Sequence, residues 1–145
     1  MSNSIFKIDP GFADLSIHLG RFKLSHVLLM NNAEIPWFML IPETQEIELC
    51  DLDLNVHHQL VDEIRAISIF IKGHFTIDKL NVACNGNAIR QMHIHVIGRR
   101  FDDYCWPGMV WGIEPPSSYE DVETARIKGL LDNDETLAAT GYRGV

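Results

Sequence analysis

The sequence predicts an α+β fold, and three observations carry that prediction. Two apolar runs of strand length, residues 26–30 (HVLLM) and 37–41 (WFMLI), flank a polar stretch that begins Asn31-Asn32-Ala33-Glu34. Over residues 53–75, apolar side chains recur at Leu60, Ile64, Ile67, Ile71 and Phe75, steps of four, three, four and four that keep one helix face apolar. Leu80, Val82 and Cys84 then alternate with Asn81, Ala83 and Asn85, the period-two pattern of a strand.

The elements follow in chain order. Asp9-Pro10 leads into Phe12, Leu15, Ile17 and Leu19, whose spacing does not separate helix from strand; a short helix ended by Gly20 is expected. The two apolar runs predict antiparallel strands joined by a turn, with Pro42 closing the second. Asp51, Asp53 or Asn55 can cap the long helix, and Gly73 lies near its end. The strand over residues 80–84 runs into the turn Asn85-Gly86-Asn87, and a second strand is expected over residues 91–97. A last helix is expected over residues 118–131, capped by Ser117 or Ser118, with a loose tail beyond Asp132. Trp106-Pro107-Gly108 and Glu114-Pro115-Pro116-Ser117 mark irregular backbone before it.

A chain of 145 residues is expected to form one domain over residues 1–145, since a domain takes roughly 150 residues. Its core is expected over residues 5–112, with the C-terminal helix and tail over residues 113–145. With 46% hydrophobic and 22% charged residues the chain can bury a core and is not of disordered composition. No run approaches the roughly 18 uncharged apolar residues of a membrane helix. The first fifteen positions hold no basic segment followed by an apolar one, so neither export nor membrane insertion is expected. Cys50, Cys84 and Cys105 are odd in number and widely spaced, which fits neither a disulfide framework nor a zinc knuckle and points to the reducing cytoplasm. The net charge of −8 argues against nucleic acid and anionic membranes as partners. Residues 79–100 are a local exception. They hold Lys79, Arg90, Arg99 and Arg100 and no Asp or Glu, so an anion site is expected there.

The same segment carries the chemistry. In Gln91-Met92-His93-Ile94-His95-Val96, polar and apolar residues alternate, so a strand would set Gln91, His93 and His95 on one face and Met92, Ile94 and Val96 on the other. Imidazoles titrate near neutral pH and act as nucleophile, acid or base. Arg99, Arg100 and Lys79 can attract a phosphate, and Asn85 and Asn87 add amide donors around the exposed backbone of Gly86. Spacing alone leaves three readings open: catalysis, a His-x-His metal site, or structural histidines. A metal needs further ligands, for which His18, His26, His57, His58, His74 or a carboxylate are the candidates, none in an evident motif. His57 and His58, adjacent on a helix, diverge by about 100° and are expected to be solvated.

The run Gln91-Met92-His93-Ile94-His95-Val96-Ile97-Gly98-Arg99 resembles the signature of the histidine triad (HIT) family, three histidines alternating with apolar residues, with Gln91 standing where the first histidine falls. Gln at that place is found in a bacterial branch of the family. Leu28-Leu29-Met30-Asn31 followed by Phe38-Met39-Leu40-Ile41-Pro42 resembles the family's first hairpin, the predicted helix falls where its long helix lies, and Trp106-Pro107 resembles a segment found after the triad in some members. The resemblance spans about residues 5–112. It implies an antiparallel sheet of about five strands with one long and one or two short helices, usually in a homodimer. It also implies hydrolysis or transfer of nucleotidyl groups from dinucleoside polyphosphates or nucleoside phosphoramidates, without a metal or other cofactor. By resemblance His93 is the nucleophile at the α-phosphorus, His95 orients it and assists the phosphate charge, Asn31 lies near the ribose, and Asn87 near a phosphate.

Two positions depart from the family's pattern. Gln91 can form hydrogen bonds but cannot shuttle a proton. Trp37 stands where many active members carry a further histidine; beside Phe38 in an apolar run it is expected to pack rather than to stack on a base. Trp106 and Trp111 are expected to pack or to meet a dimer partner. The expected site is therefore His93, His95 and Gln91 for catalysis, with Asn31, Asn85, Asn87 and Arg99 for substrate. A nucleotide-binding protein weakened in turnover is the alternative that the two departures suggest, and a His-x-His metalloprotein is a third.

Overall fold

A computed structural model describes residues 5–145. The expectation about the first fifteen positions falls in part on residues 1–4, outside the described residues. A 3₁₀ turn at Pro10–Phe12 opens the described chain and precedes strands β1 (Ser16–Arg21), β2 (Ser25–Met30) and β3 (Trp37–Pro42). Helix α1 (Leu54–His74) follows, then strands β4 (Lys79–Ala83) and β5 (Ile94–Arg99). Helices α2 (Asp121–Asp132) and α3 (Glu135–Ala139) and the short strand β6 (Arg143–Gly144) complete it. The strands form one antiparallel sheet in the order β4-β5-β3-β2-β1-β6, so the fold is α+β with six strands where about five were expected.

Both faces of the sheet are covered. On one, Leu60, Ile67, Phe70 and Ile71 of α1 pack against Val27, Leu29, Phe38, Leu40, Ile94 and Val96. On the other, Leu28, Trp37, Met39, Ile41 and Ile97 lie beneath Phe12 and Val110. All six residues of β3 and all six of β5 are buried; β3 is apolar throughout, whereas β5 also buries His95 and Arg99. Gly98 allows the close packing on the helical face: a Cβ there would stand 2.7 Å from Ile77 and 2.9 Å from Ile71.

Glu63, fully buried on α1, holds the hairpin between β1 and β2. Its carboxylate accepts hydrogen bonds from the backbone N–H of Ser25 (2.8 Å) and of Leu24 (3.1 Å) and from the amide of Gln59 (2.6 Å). These bonds satisfy a turn whose own backbone pairing leaves those donors free.

Four expectations are corrected. The short helix expected at Phe12, Leu15, Ile17 and Leu19 is a 3₁₀ turn followed by β1, because Ile17 and Leu19 alternate with His18 and Gly20 and pair with β2. The strand expected over residues 91–97 begins only at Ile94. The last helix is capped by Glu120 rather than Ser117 or Ser118, in a reciprocal capping box with Glu123. The tail beyond Asp132 is not loose: Leu137 is fully buried, the Tyr142 hydroxyl donates to the Leu19 carbonyl, and β6 pairs with β1.

Candidate active site

The site forms where β5 enters the sheet from the loop over residues 84–93. Gly86 adopts φ +66° in that loop, a left-handed turn that glycine takes without strain. Met92 inserts into the core on the α1 side, so His93 turns to the opposite face, and His95 follows it two residues on. The two rings meet edge to face with centroids 4.8 Å apart. Both are buried, at 7% and 4% exposure, yet both line a cavity of about 310 Å³.

That cavity is apolar over most of its wall, formed by Phe12, Leu15, Met30, Met39, Ile89 and Trp111. Its polar edge carries the two imidazoles with Asn85 and Asn87. A second cavity of about 260 Å³ shares His93 and the loop 85–87 and is lined by Glu48, Cys84 and Arg90. His93 therefore stands between an apolar chamber of the size and character of a small-molecule pocket and a polar, charged one.

The ring nitrogens are set by their partners. His93 Nδ1 lies 2.7 Å from the Gln91 carbonyl oxygen, which can only accept, so Nδ1 carries a proton and the neutral ring keeps its lone pair on Nε2. His95 Nδ1 lies 2.9 Å from the indole nitrogen of Trp37. Trp37 and Trp111 both pack on the His95 ring, with centroids 5.6 Å and 5.1 Å away. Burial, and after it the neighbouring His93, push the His95 pKa down to about 4, so this ring is neutral at neutral pH.

The expected site residues separate into three groups. His93, His95, Asn85 and Asn87 come together around the cavities. Gln91 does not join the row: it precedes β5, its Oε1 accepts from the Asp9 N–H (2.8 Å) and its Nε2 donates to the Lys7 carbonyl (2.8 Å). Only its backbone carbonyl reaches His93, while its side chain secures the N-terminal segment that brings Phe12 over the cavity. Asn31 and Arg99 lie apart. Asn31 Oδ1 accepts from the Tyr119 N–H at the approach to α2.

Arg99 is a correction to the expected anion site. Its guanidinium is 1% exposed and held by Asp103 at 2.7 Å and 3.1 Å, by Asn81 at 3.1 Å and by the face of Trp106. Arg100 pairs with Asp102, and the Lys79 ammonium donates to the Leu80 carbonyl. Of the four basic residues, Arg90 alone lines either of the cavities beside His93.

Trp37 packs as expected, but its N–H also reaches the site, a role that no spacing in the sequence announces. Trp111 lines the cavity instead of merely packing. Among the described residues no three His, Cys, Asp or Glu side chains converge as a metal site. His18 and His26 contact one another at 3.2 Å, His26 also meets Glu43, His74 pairs with Asp134, and none of them lines the chambers. His57 is half-buried and His58 exposed on α1.

Known proteins share this arrangement of elements. A HIT domain model matches residues 15–102. A histidine triad protein from Marinobacter aquaeolei VT8 has a structure similar at a TM-score of 0.86, with 34% identity, over 95% of this chain and 100% of that one. One from Bradyrhizobium japonicum superposes at 0.82 with 33% identity, over 86% of this chain and 94% of that one. One from Sinorhizobium meliloti 1021 superposes at 0.83 with 30% identity, over 89% and 97%. A search of curated proteins finds no match.

Proposed function

The chain belongs to the HIT domain family, and from that premise we propose that it is a nucleotide hydrolase or nucleotidyl transferase of the branch that carries Gln at the first triad position. The substrates are dinucleoside polyphosphates or nucleoside phosphoramidates, the attack falls on the α-phosphorus, and the intermediate is a nucleotidyl-histidine on His93. One observation carries this reading: the Gln91 carbonyl fixes the proton of His93 on Nδ1 and leaves the Nε2 lone pair as the nucleophile, beside a cavity able to hold a nucleoside.

The geometry supports both halves of a double displacement. In the first, Nε2 forms a bond to the α-phosphorus and the bond to the leaving group breaks, the leaving group taking the electron pair. The ring becomes a cationic N-phosphorylated imidazolium whose Nδ1–H still donates to the Gln91 carbonyl. This is the reactive form of the intermediate, so no proton need travel through the ring. In the second, water attacks phosphorus, the P–N bond breaks, the nucleoside monophosphate departs, the water's proton is lost to solvent and His93 returns neutral. Backbone N–H groups of the loop 85–87 and the amides of Asn85 and Asn87 are the donors for the phosphate oxygens, each worth about 3 kcal/mol in a preorganised site.

Incubation of purified protein with diadenosine polyphosphates and adenosine phosphoramidates tests the proposal. Release of adenosine monophosphate that His93→Ala abolishes is the expected result. No product, or product unchanged in that variant, removes the enzymatic reading. The attachment of the Gln91 amide to residues 7 and 9 favours the second reading, a nucleotide-binding protein of weakened turnover; binding by calorimetry without product is its signature. The exposed apolar side chains Phe101, Met109 and Ile113 support a homodimer, which the sedimentation mass tests. Three free cysteines support a cytoplasmic setting, and no described helix is long and apolar enough to cross a membrane.

A further inference from the structure

An indole N–H only donates a hydrogen bond, so the 2.9 Å contact from Trp37 requires a lone pair on His95 Nδ1. The proton of the neutral ring then sits on Nε2. We infer that Trp37 is a positioning residue: its N–H locks His95 in the Nε2–H tautomer and makes that ring a fixed hydrogen-bond donor to the phosphate, not an acid or a base. Protonating the ring would set two donors, the indole N–H and an Nδ1–H, against each other in a buried space. Trp37 is 5% exposed and is held by β3 and by Trp111 edge to face at 5.8 Å, so the indole cannot readily turn away.

The groups around His95 agree with this assignment. Met39, opposite it on β3, is apolar, as are Trp37 and Trp111, and Ala83 is its partner on β4. The one ionisable neighbour that acts on it is His93, which shares the cavity and disfavours a second positive charge. Among the described residues no carboxylate acts on the ring to stabilise an imidazolium.

A consequence follows for the substrate, and it rests on His93 being the nucleophile. A leaving amine or alkoxide must be protonated as it departs, whereas a phosphate or polyphosphate leaves as a stable anion. The first triad position here is an amide, tied to the backbone of Lys7 and Asp9, and the third is a locked donor; neither releases a proton. The polar chamber adds the Arg90 guanidinium, the Glu48 carboxylate and the Cys84 thiol, whose pKa burial raises. With no proton released by either triad neighbour of His93, the site suits dinucleoside polyphosphates over amine-leaving phosphoramidates.

Nitrogen-15 NMR of the histidine rings in the unaltered protein tests the tautomer without any turnover. His95 is expected to show a protonated Nε2 and an acceptor Nδ1, unchanged from pH 5 to pH 8. Trp37→Phe, which keeps an apolar ring and removes the N–H, is expected to release the ring to a mixture of the Nδ1–H and Nε2–H tautomers. Loss of one fixed donor of this kind should lower kcat/KM about tenfold. A His95 protonated on Nδ1, or charged anywhere between pH 5 and pH 8 in the unaltered protein, overturns the inference whether or not the variant folds. In the kinetic arm, diadenosine tetraphosphate should exceed adenosine N-alkylphosphoramidate in kcat/KM by about a hundredfold at neutral pH, the contribution a general acid would otherwise supply. Equal values overturn the leaving-group preference. Turnover of neither donor sinks the proposed function instead, and the nitrogen spectrum then decides the role of Trp37 alone.

Discussion

His93 and His95 are the same residue type two positions apart, yet their Nδ1 atoms meet opposite partners, an acceptor in one case and a donor in the other. The proposed division of chemistry between them rests on that difference, not on the imidazoles themselves. The division also has a cost in stability. The folded His95 pKa of about 4 lies below its ordinary 6.5, so the unfolded chain takes up the proton first as the pH falls. Its contribution is fully present above about pH 6.5 and is lost progressively toward pH 4. Denaturant midpoints measured from pH 7 down to pH 4.5 should fall for the unaltered protein and fall less for His95→Asn, whose carbonyl can still accept the indole N–H.

Arg99 shows the converse at the same scale. A sequence reading takes it as one of four free cations, but Asp103, four residues on, claims it in a buried pair. For Asp103, burial acts upward on the pKa and is outweighed by hydrogen bonds from Arg99, from the Arg100 and Cys105 backbone N–H groups and by the guanidinium charge, which together bring it down to about 2. The stability from this carboxylate is present above the ordinary 3.8 and fades as the pH falls toward 2. Asp103→Asn strands a buried guanidinium and should destabilise the fold by about 3 to 5 kcal/mol in urea unfolding.

Among the elements, α1 and the β2–β3 hairpin were legible because their apolar periodicity is local and long. What escaped the sequence depended on partners distant along the chain. β1 is defined by pairing with β2 on one side and β6 on the other, and β6 by a tyrosine bonded across 123 residues. The start of β5 was misplaced because Gln91 continues the alternating pattern while its side chain is drawn to residues 7 and 9. Glu63 is equally silent in the sequence, a charged residue on the apolar face of a helix. Glu63→Gln would present an NH₂ group to at least one of the donors it now satisfies and should destabilise the fold by about 2 to 3 kcal/mol in chemical denaturation. An unchanged unfolding midpoint would show that the turn between β1 and β2 does not depend on the carboxylate.

For the whole molecule, the sequence set His93 and His95 on the face opposite the apolar residues but did not show how that face is closed. Phe12, Ile89 and Trp111 come from three separate segments, and no period or motif links them; only the folded sheet brings them to one cavity beside His93. The polar chamber lies on the other side of the ring, and under the proposed function it would take the leaving group while the apolar cavity takes the nucleoside. The most direct test is mass spectrometry of the intact protein and its peptides after a brief, acid-free exposure to diadenosine tetraphosphate. The account predicts the mass of one adenylyl group on the peptide containing position 93, absent in His93→Ala. Release of adenosine monophosphate with no adduct at that position, or with the adduct on another residue, contradicts it.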